Sequence, residues 1–238
     1  GSMAYPEIKK LSAHLLLEDS TAGGITSDEA REFIDAINEQ LGSESVQFYP
    51  GSAHRHLMVW VGGKSKATCV DPAHGIGKPI DKLLPSGDGA DILKNVMEAS
   101  AILLSTHPLN DPRYDSGAKP VNCVWLWGQG KAVKLPKFTE RQALSGAVMA
   151  ECELHRGVGV TAGLDAPQVE ETVGSHEERY ATLCRMVLDD ASKRDFLYVH
   201  VQVGDGSEGG GTVKSIEALD RLLIGLLGDG HLLLEGVP

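Results

Sequence analysis

Ala147-Val148-Met149-Ala150 and Asp195-Phe196-Leu197-Tyr198-Val199-His200-Val201-Gln202-Val203 are two apolar runs with a helical pattern, Glu177 to Ala191, between them. Their β-branched and aromatic residues suit strands. A short helix follows the first run, and a helix (Thr212 to Leu227) and a strand (His231 to Leu234) follow the second. Repeated alternation of strand and helix predicts an α/β unit on a mainly parallel sheet.

Upstream of this unit the pattern changes. Thr26-Ser27-Asp28-Glu29 reads as a capping box, and Ala30, Phe33, Ile34, Ile37 and Leu41 line one face of the helix it opens, which Gly42 stops. Val46 to Tyr49 and His56 to Val61 read as strands across the Pro50-Gly51 turn. Residues 62 to 88 form a long, Gly- and Pro-punctuated loop, the kind that carries function. A second helix spans about Ala90 to Ser105, and strand-like Asn122 to Trp127 leads into Gly128-Gln129-Gly130. A boundary near Pro136 separates residues 4–135 from 136–238.

Composition narrows the partners. The 33 Asp and Glu outnumber 22 Lys and Arg, a net charge of -11 that repels nucleic acid and anionic lipid. No apolar run approaches the roughly 20 residues of a membrane span. Cys69, Cys123, Cys152 and Cys184 form no CxxC pair, which points to a reduced, cytoplasmic chain with the four as small buried hydrophobes. Gly1-Ser2 ahead of Met3 reads as a tag remnant, with no targeting peptide after it.

Several ordered segments carry a family resemblance: Thr21-Ala22-Gly23-Gly24-Ile25; Phe48-Tyr49-Pro50-Gly51 with Arg55-His56-Leu57; His74 with Gly77-Lys78-Pro79-Ile80; and His107-Pro108-Leu109-Asn110 with Arg113. They continue with Asn122 and Trp125-Leu126-Trp127-Gly128-Gln129-Gly130, then Leu135-Pro136 with Phe138, and Gly157-Val158-Gly159 with Ala162-Gly163-Leu164. Tyr198-Val199-His200-Val201 and Lys214-Ser215-Ile216-Glu217 with Asp220 close the series. The chain resembles the archaeal-type 2,3-bisphosphoglycerate-independent phosphoglycerate mutases of the alkaline phosphatase superfamily. The resemblance implies an α/β protein in which residues 4–135 are an inserted α+β substrate-type domain. Residues 136–238 would be the C-terminal half of a phosphatase-like metal domain.

The same resemblance implies phosphoryl transfer through a serine with two divalent metals, manganese or magnesium. The family's nucleophilic serine and first metal-binding aspartate precede the insert and have no counterpart here, so the chain is expected to be a truncated, divergent member. Asp205 stands at a family metal position, but the histidine expected four residues later falls on Gly209.

Six basic groups remain for a small phosphorylated or carboxylated metabolite: Arg55, His56, His74, Lys78, His107 and Arg113. Arg suits a bidentate oxyanion contact and Lys a point charge. In the extended stretch 54–56, His54 and His56 share one face and Arg55 takes the other. Trp125 and Trp127 alternate onto one sheet face, for core packing or ligand stacking.

Two segments resemble phosphate-binding loops. Gly204-Asp205-Gly206-Ser207-Glu208-Gly209 fits a dinucleotide loop, although it carries two carboxylates. Gly62-Gly63-Lys64-Ser65 fails as a P-loop because Met58 stands where the leading glycine belongs. The sequence thus predicts a mutase-like metabolite binder that does not transfer phosphoryl groups alone. Its alternatives are a mutase or phosphonate-metabolism enzyme completed by another chain, and a nucleotide binder through residues 204–209. A sheet lacking its usual neighbours also predicts a homodimer through residues 136–238.

Overall fold

The computed structural model describes residues 2–4, 7–11, 14–64, 66–150, 152–168 and 176–201. It divides into two compact units, Gly1–Ala132 and Val133–Pro238. Helix and sheet are mixed throughout, and the second unit holds a small parallel sheet.

In the first unit, β1 (Ser2–Ala4), β4 (Val46–Tyr49), β5 (His56–Trp60) and β6 (Trp125–Trp127) form one antiparallel sheet in the order β4-β5-β1-β6. A separate hairpin joins β2 (Glu7–Leu11) to β3 (His14–Asp19). This hairpin has no clean apolar alternation, and the sequence pattern did not indicate it. The strand expected from Asn122 is shorter, because Asn110 captures the backbone upstream of β6. The Asn110 side chain donates to the Leu104 and Val121 carbonyls, each at 2.9 Å, and accepts from the Val121 N–H at 2.8 Å.

Helix α1 (Ser27–Leu41) starts on the expected capping box: the Thr26 hydroxyl accepts from the Glu29 N–H, and the Glu29 carboxylate accepts from the Thr26 N–H. Its face of Phe33, Ile34 and Ile37 packs with Leu93, Met97 and Leu104 of α2 (Ala90–Leu104) and with Phe48, Met58 and Trp125 of the sheet. Asn38 locks α1 to β4 by donating to the Phe48 carbonyl at 2.6 Å and accepting from its N–H at 2.9 Å. Burial of this apolar face, at about 25 cal/mol per Å², is the main force holding the layer together.

The 62–88 loop is built partly of 3₁₀ turns at Pro72–Gly75 and Ile80–Lys82. Helix α3 (Asp111–Ser116) follows the Pro108–Asn110 turn and ends at Gly117, whose φ of +73° suits glycine.

In the second unit, α4 (Phe138–Gln142) precedes β7 (Gly146–Ala150), which is buried along its whole length and pairs in parallel with β8 (Phe196–His200). Helix α5 (Glu153–Thr161) follows β7, and α6 (His176–Ala191) turns Leu183 and Val187 toward Met149. Gly159 allows α5 close approach: an added Cβ would lie 2.3 Å from a Val148 methyl. Asp195 ties the start of β8 to β7 by accepting from the Ser145 N–H and hydroxyl at 2.8 and 2.7 Å. The expected elements at 212–227 and 231–234 lie outside the described residues.

All four cysteines are free, but only Cys123 is buried, where loss of solvation pushes its thiol up to about 12; Cys69, Cys152 and Cys184 are half-buried. The expectation of four buried cysteines therefore holds for Cys123 alone.

Candidate functional site

The end of β3 turns sharply into the entry of α1. Ala22, Gly23 and Gly24 take successive positive φ values of +51°, +65° and +72°. Ala22 is fully buried in that left-handed conformation, which costs an alanine free energy that its surroundings must supply. Asp19 organises the turn: its carboxylate accepts from the Thr21 N–H, the Thr21 hydroxyl and the Gly23 N–H at 2.7–2.8 Å. Burial pushes the Asp19 carboxyl up, but these bonds and the Lys119 charge outweigh it and hold the group below its ordinary value.

Arg113 closes the turn from beneath. Its Nε donates to the Lys119 carbonyl and its Nη1 to the Glu29 carboxylate, both at 2.8 Å, and its Nη2 donates to the Ala22 carbonyl. At 4% exposure this guanidinium is a strut between the turn, the start of α1 and the segment after α3. The sequence names it as a substrate-binding residue; in the structure its side chain braces the turn.

A second loop meets the same place. The Ala53 N–H donates to the Ser27 hydroxyl at 3.0 Å, which sets residues 52–55 against the start of α1. Within that loop His54 is half-buried and Arg55 exposed. Burial lowers the His54 pKa, the Arg55 charge lowers it further, and the Asp19 carboxylate partly opposes both.

His56 faces inward at 4% exposure, and its Nδ1 accepts from the Gly51 N–H at 3.1 Å. Burial, assisted by His54, lowers its pKa to about 4. His56, expected as a substrate-binding residue, is therefore a neutral, buried imidazole near pH 7.

His74 and Lys78 lie on a segment that pairs with β3. The Gly77 N–H donates to the Leu17 carbonyl at 2.7 Å, and the Leu17 N–H donates to the Lys78 carbonyl at 3.1 Å. That pairing stitches the 74–78 segment to β3 just before Asp19. Both side chains are exposed, and Lys78 Nζ donates to the His74 carbonyl at 2.8 Å.

His107 is half-buried, 6.3 Å from the Phe33 ring between centroids, and its Nδ1 accepts weakly from the Leu109 N–H at 3.4 Å. It caps a turn beside α1. The loop of His54 and Arg55 thus meets the end of β3 at Asp19, the 74–78 segment pairs with Leu17 just before it, and Arg113 braces the turn that follows, while His107 stands beside Phe33 of α1. Sequence reasoning missed Asp19, Glu29 and Ser27, although the Ala22-Gly23-Gly24 triplet marks the turn they organise.

Asp205 and the 204–209 loop lie outside the described residues. Among the described residues no three His, Cys, Asp or Glu side chains converge as a metal ion requires. These residues do not fit the manganese or magnesium that the resemblance implies, and no step below runs through a metal. None of the described helices is long and apolar enough to cross a membrane.

The fold and site define a two-unit α/β chain that carries basic loops beside a buried arginine-braced turn. A family model described as 2,3-bisphosphoglycerate-independent phosphoglycerate mutase matches residues 7–110. A probable mutase of that type from Geobacter sulfurreducens is 39% identical over 215 residues, which span 89% of this chain and 54% of that protein. The corresponding mutase of Methanosarcina mazei is 35% identical over 216 residues, with the same shares.

Two solved structures share the fold. A cofactor-independent phosphoglycerate mutase from Thermoplasma acidophilum has a TM-score of 0.50 at 22% identity, covering 95% of this chain and 60% of its own. A Pyrococcus horikoshii protein has a TM-score of 0.61 at 20% identity, with shares of 95% and 53%. The chain is a relative of the 2,3-bisphosphoglycerate-independent phosphoglycerate mutases, and it spans about half the length of the curated relatives it matches.

Proposed function

We propose that these residues form the metabolite-holding part of a phosphoglycerate-mutase-like protein. They bind a small phosphorylated or carboxylated metabolite and do not transfer its phosphoryl group by themselves. The observation that supports this proposal is that the His54 side chain interacts with Asp19 at the end of β3 and that the segment carrying His74 and Lys78 pairs with Leu17 two residues earlier, in a chain of net charge -11. Placing the exposed Arg55 and Lys78 charges on loops beside a braced turn, against so acidic a background, favours an anionic ligand.

Arg55 supplies a planar fork for a carboxylate or phosphate, and Lys78 a mobile point charge. Arg113 and Asp19 hold the turn that positions them. Neutral His56 completes the fold of the 51–56 loop without adding charge. The proposal extends to a cytoplasmic homodimer, in line with four free cysteines and with Phe196 and Tyr198 exposed on β8 at 36% and 43%.

Calorimetric titration with 3-phosphoglycerate and 2-phosphoglycerate, with and without manganese, tests the binding. A coupled assay on the same preparation tests turnover. Saturable binding without turnover is expected. Manganese-dependent turnover that survives repurification and scales with the protein overturns the non-catalytic part, and absence of binding overturns the rest.

A further inference from the structure

The segment after α3 is tied down on both sides of Lys119. The Ala118 N–H donates to the Arg113 carbonyl, the Lys119 carbonyl accepts from Arg113 Nε, and the Val121 N–H donates to the Asn110 side chain, each at 2.8 Å. Arg113 and Asn110 are themselves buried. Lys119 therefore springs from a fixed backbone, which lowers the ordering cost of a contact made by its side chain.

The stem of Lys119 crosses the turn between β3 and α1. A Cβ added at Gly23 would lie 3.1 Å from the Lys119 Cβ and 3.5 Å from its Cγ. The ammonium stands 3.8 Å from Asp19 Oδ2, and the side chain is 41% exposed. That separation is longer than a charge-assisted hydrogen bond, which runs roughly 2.7–2.9 Å.

Asp19 does not depend on this lysine. Its carboxylate accepts from the Thr21 N–H, the Thr21 hydroxyl and the Gly23 N–H. Burial acts most strongly on its pKa, those bonds follow, and the Lys119 charge comes last. The His54 side chain interacts with the same carboxylate, and Arg55 beside it in sequence is exposed. Two loops distant in sequence thus bring basic side chains to one point, in a chain of net charge -11.

We propose that Lys119 is a further anion-contacting residue of the metabolite site proposed above, on which this assignment rests. Its ammonium meets a phosphate or carboxylate oxygen of the ligand beside the turn between β3 and α1. A lysine head is a compact point charge on a flexible stem, so it turns toward an oxyanion without moving the backbone that Arg113 holds.

Calorimetric titration of 3-phosphoglycerate into the whole chain tests this, comparing the unmodified protein with Lys119→Gln, Lys119→Arg and Arg55→Ala. Lys119→Gln keeps most of the stem over Gly23 and removes the charge. It should weaken binding at least about fivefold and make the loss of affinity with added salt shallower, with the urea midpoint unchanged. Lys119→Arg should stay within about twofold of the unmodified chain, because the charge is retained. Binding that Arg55→Ala weakens and Lys119→Gln does not overturns the assignment of Lys119 alone. Weakening in Lys119→Gln that comes with a lower urea midpoint or an unchanged salt dependence, or that Lys119→Arg shares, gives Lys119 a purely structural role and also overturns it. Absence of binding to the unmodified chain, or binding that neither Arg55→Ala nor Lys119→Gln weakens, overturns the metabolite site and this assignment together.

Discussion

Replacing Arg113 with Met should destabilise the first unit by about 3–5 kcal/mol. The guanidinium makes three hydrogen bonds, to the Lys119 carbonyl, the Glu29 carboxylate and the Ala22 carbonyl, and its residue is 4% exposed. Met retains most of the volume, so the loss is polar. The buried Ala22 carbonyl loses a charged donor worth about 1.5–3 kcal/mol, and the part-buried Lys119 carbonyl loses about 1–2 kcal/mol. The Glu29 side chain is 43% exposed, so water takes over its bond and that share is under about 1 kcal/mol. Lysine should not rescue the variant, because one ammonium cannot reach three divergent acceptors.

All three tryptophans, Trp60, Trp125 and Trp127, lie in the first unit, so their fluorescence during urea unfolding reports this unit. A loss below about 1 kcal/mol, with metabolite affinity reduced, would refute the strut and restore Arg113 to the ligand surface.

Stability should also fall with acid through His56, whose folded pKa of about 4 lies below its unfolded value of about 6.5. Protonation favours the unfolded chain, so this contribution is full above pH 6.5 and is lost as pH falls toward 4, by up to roughly 3 kcal/mol. Urea midpoints across that range should flatten in His56→Gln, and an unchanged slope would contradict the assignment. In α5, Gly159→Ala places a Cβ 2.3 Å from Val148 and should cost about 1–2 kcal/mol net, whereas Gly157→Ala, with nothing within 4 Å, should gain up to about 1 kcal/mol. Thermal melts that move both variants in the same direction would rule out the close contact. Size-exclusion chromatography with light scattering should give the mass of two chains, and a stable monomer at micromolar concentration would remove the homodimer from the proposal.

Helix α1 was legible because its signals are local: a capping box and an apolar stripe lie within one segment. The β7–β8 pair was legible for the same reason, as apolar runs flanking a helix. The β2–β3 hairpin was not, because Glu7–Leu11 and His14–Asp19 mix charge and apolar residues without alternation. The basic loops of the site were visible by residue type, but the split between exposed Arg55 and buried Arg113 was not. Arg113 is fixed by Glu29 and Ala22, 84 and 91 residues away along the chain, and only the folded structure supplies those acceptors. The burial of His56 was likewise not legible, because strand alternation alone does not say which face of β5 meets the core.

Titration of 3-phosphoglycerate against the unmodified chain and an Arg55→Ala/Lys78→Ala double variant is the most direct test of metabolite binding at the end of β3. Both side chains are exposed, so each contributes about 1 kcal/mol to an anion rather than the full value of a buried charged bond. Together they should change affinity at least about tenfold, while a Lys64→Ala control, whose ammonium pairs with Asp88 at 2.6 Å, should leave it unchanged. Saturable binding that weakens in the double variant alone is the expected result; binding that ignores both substitutions, or no binding to the unmodified chain, would contradict it.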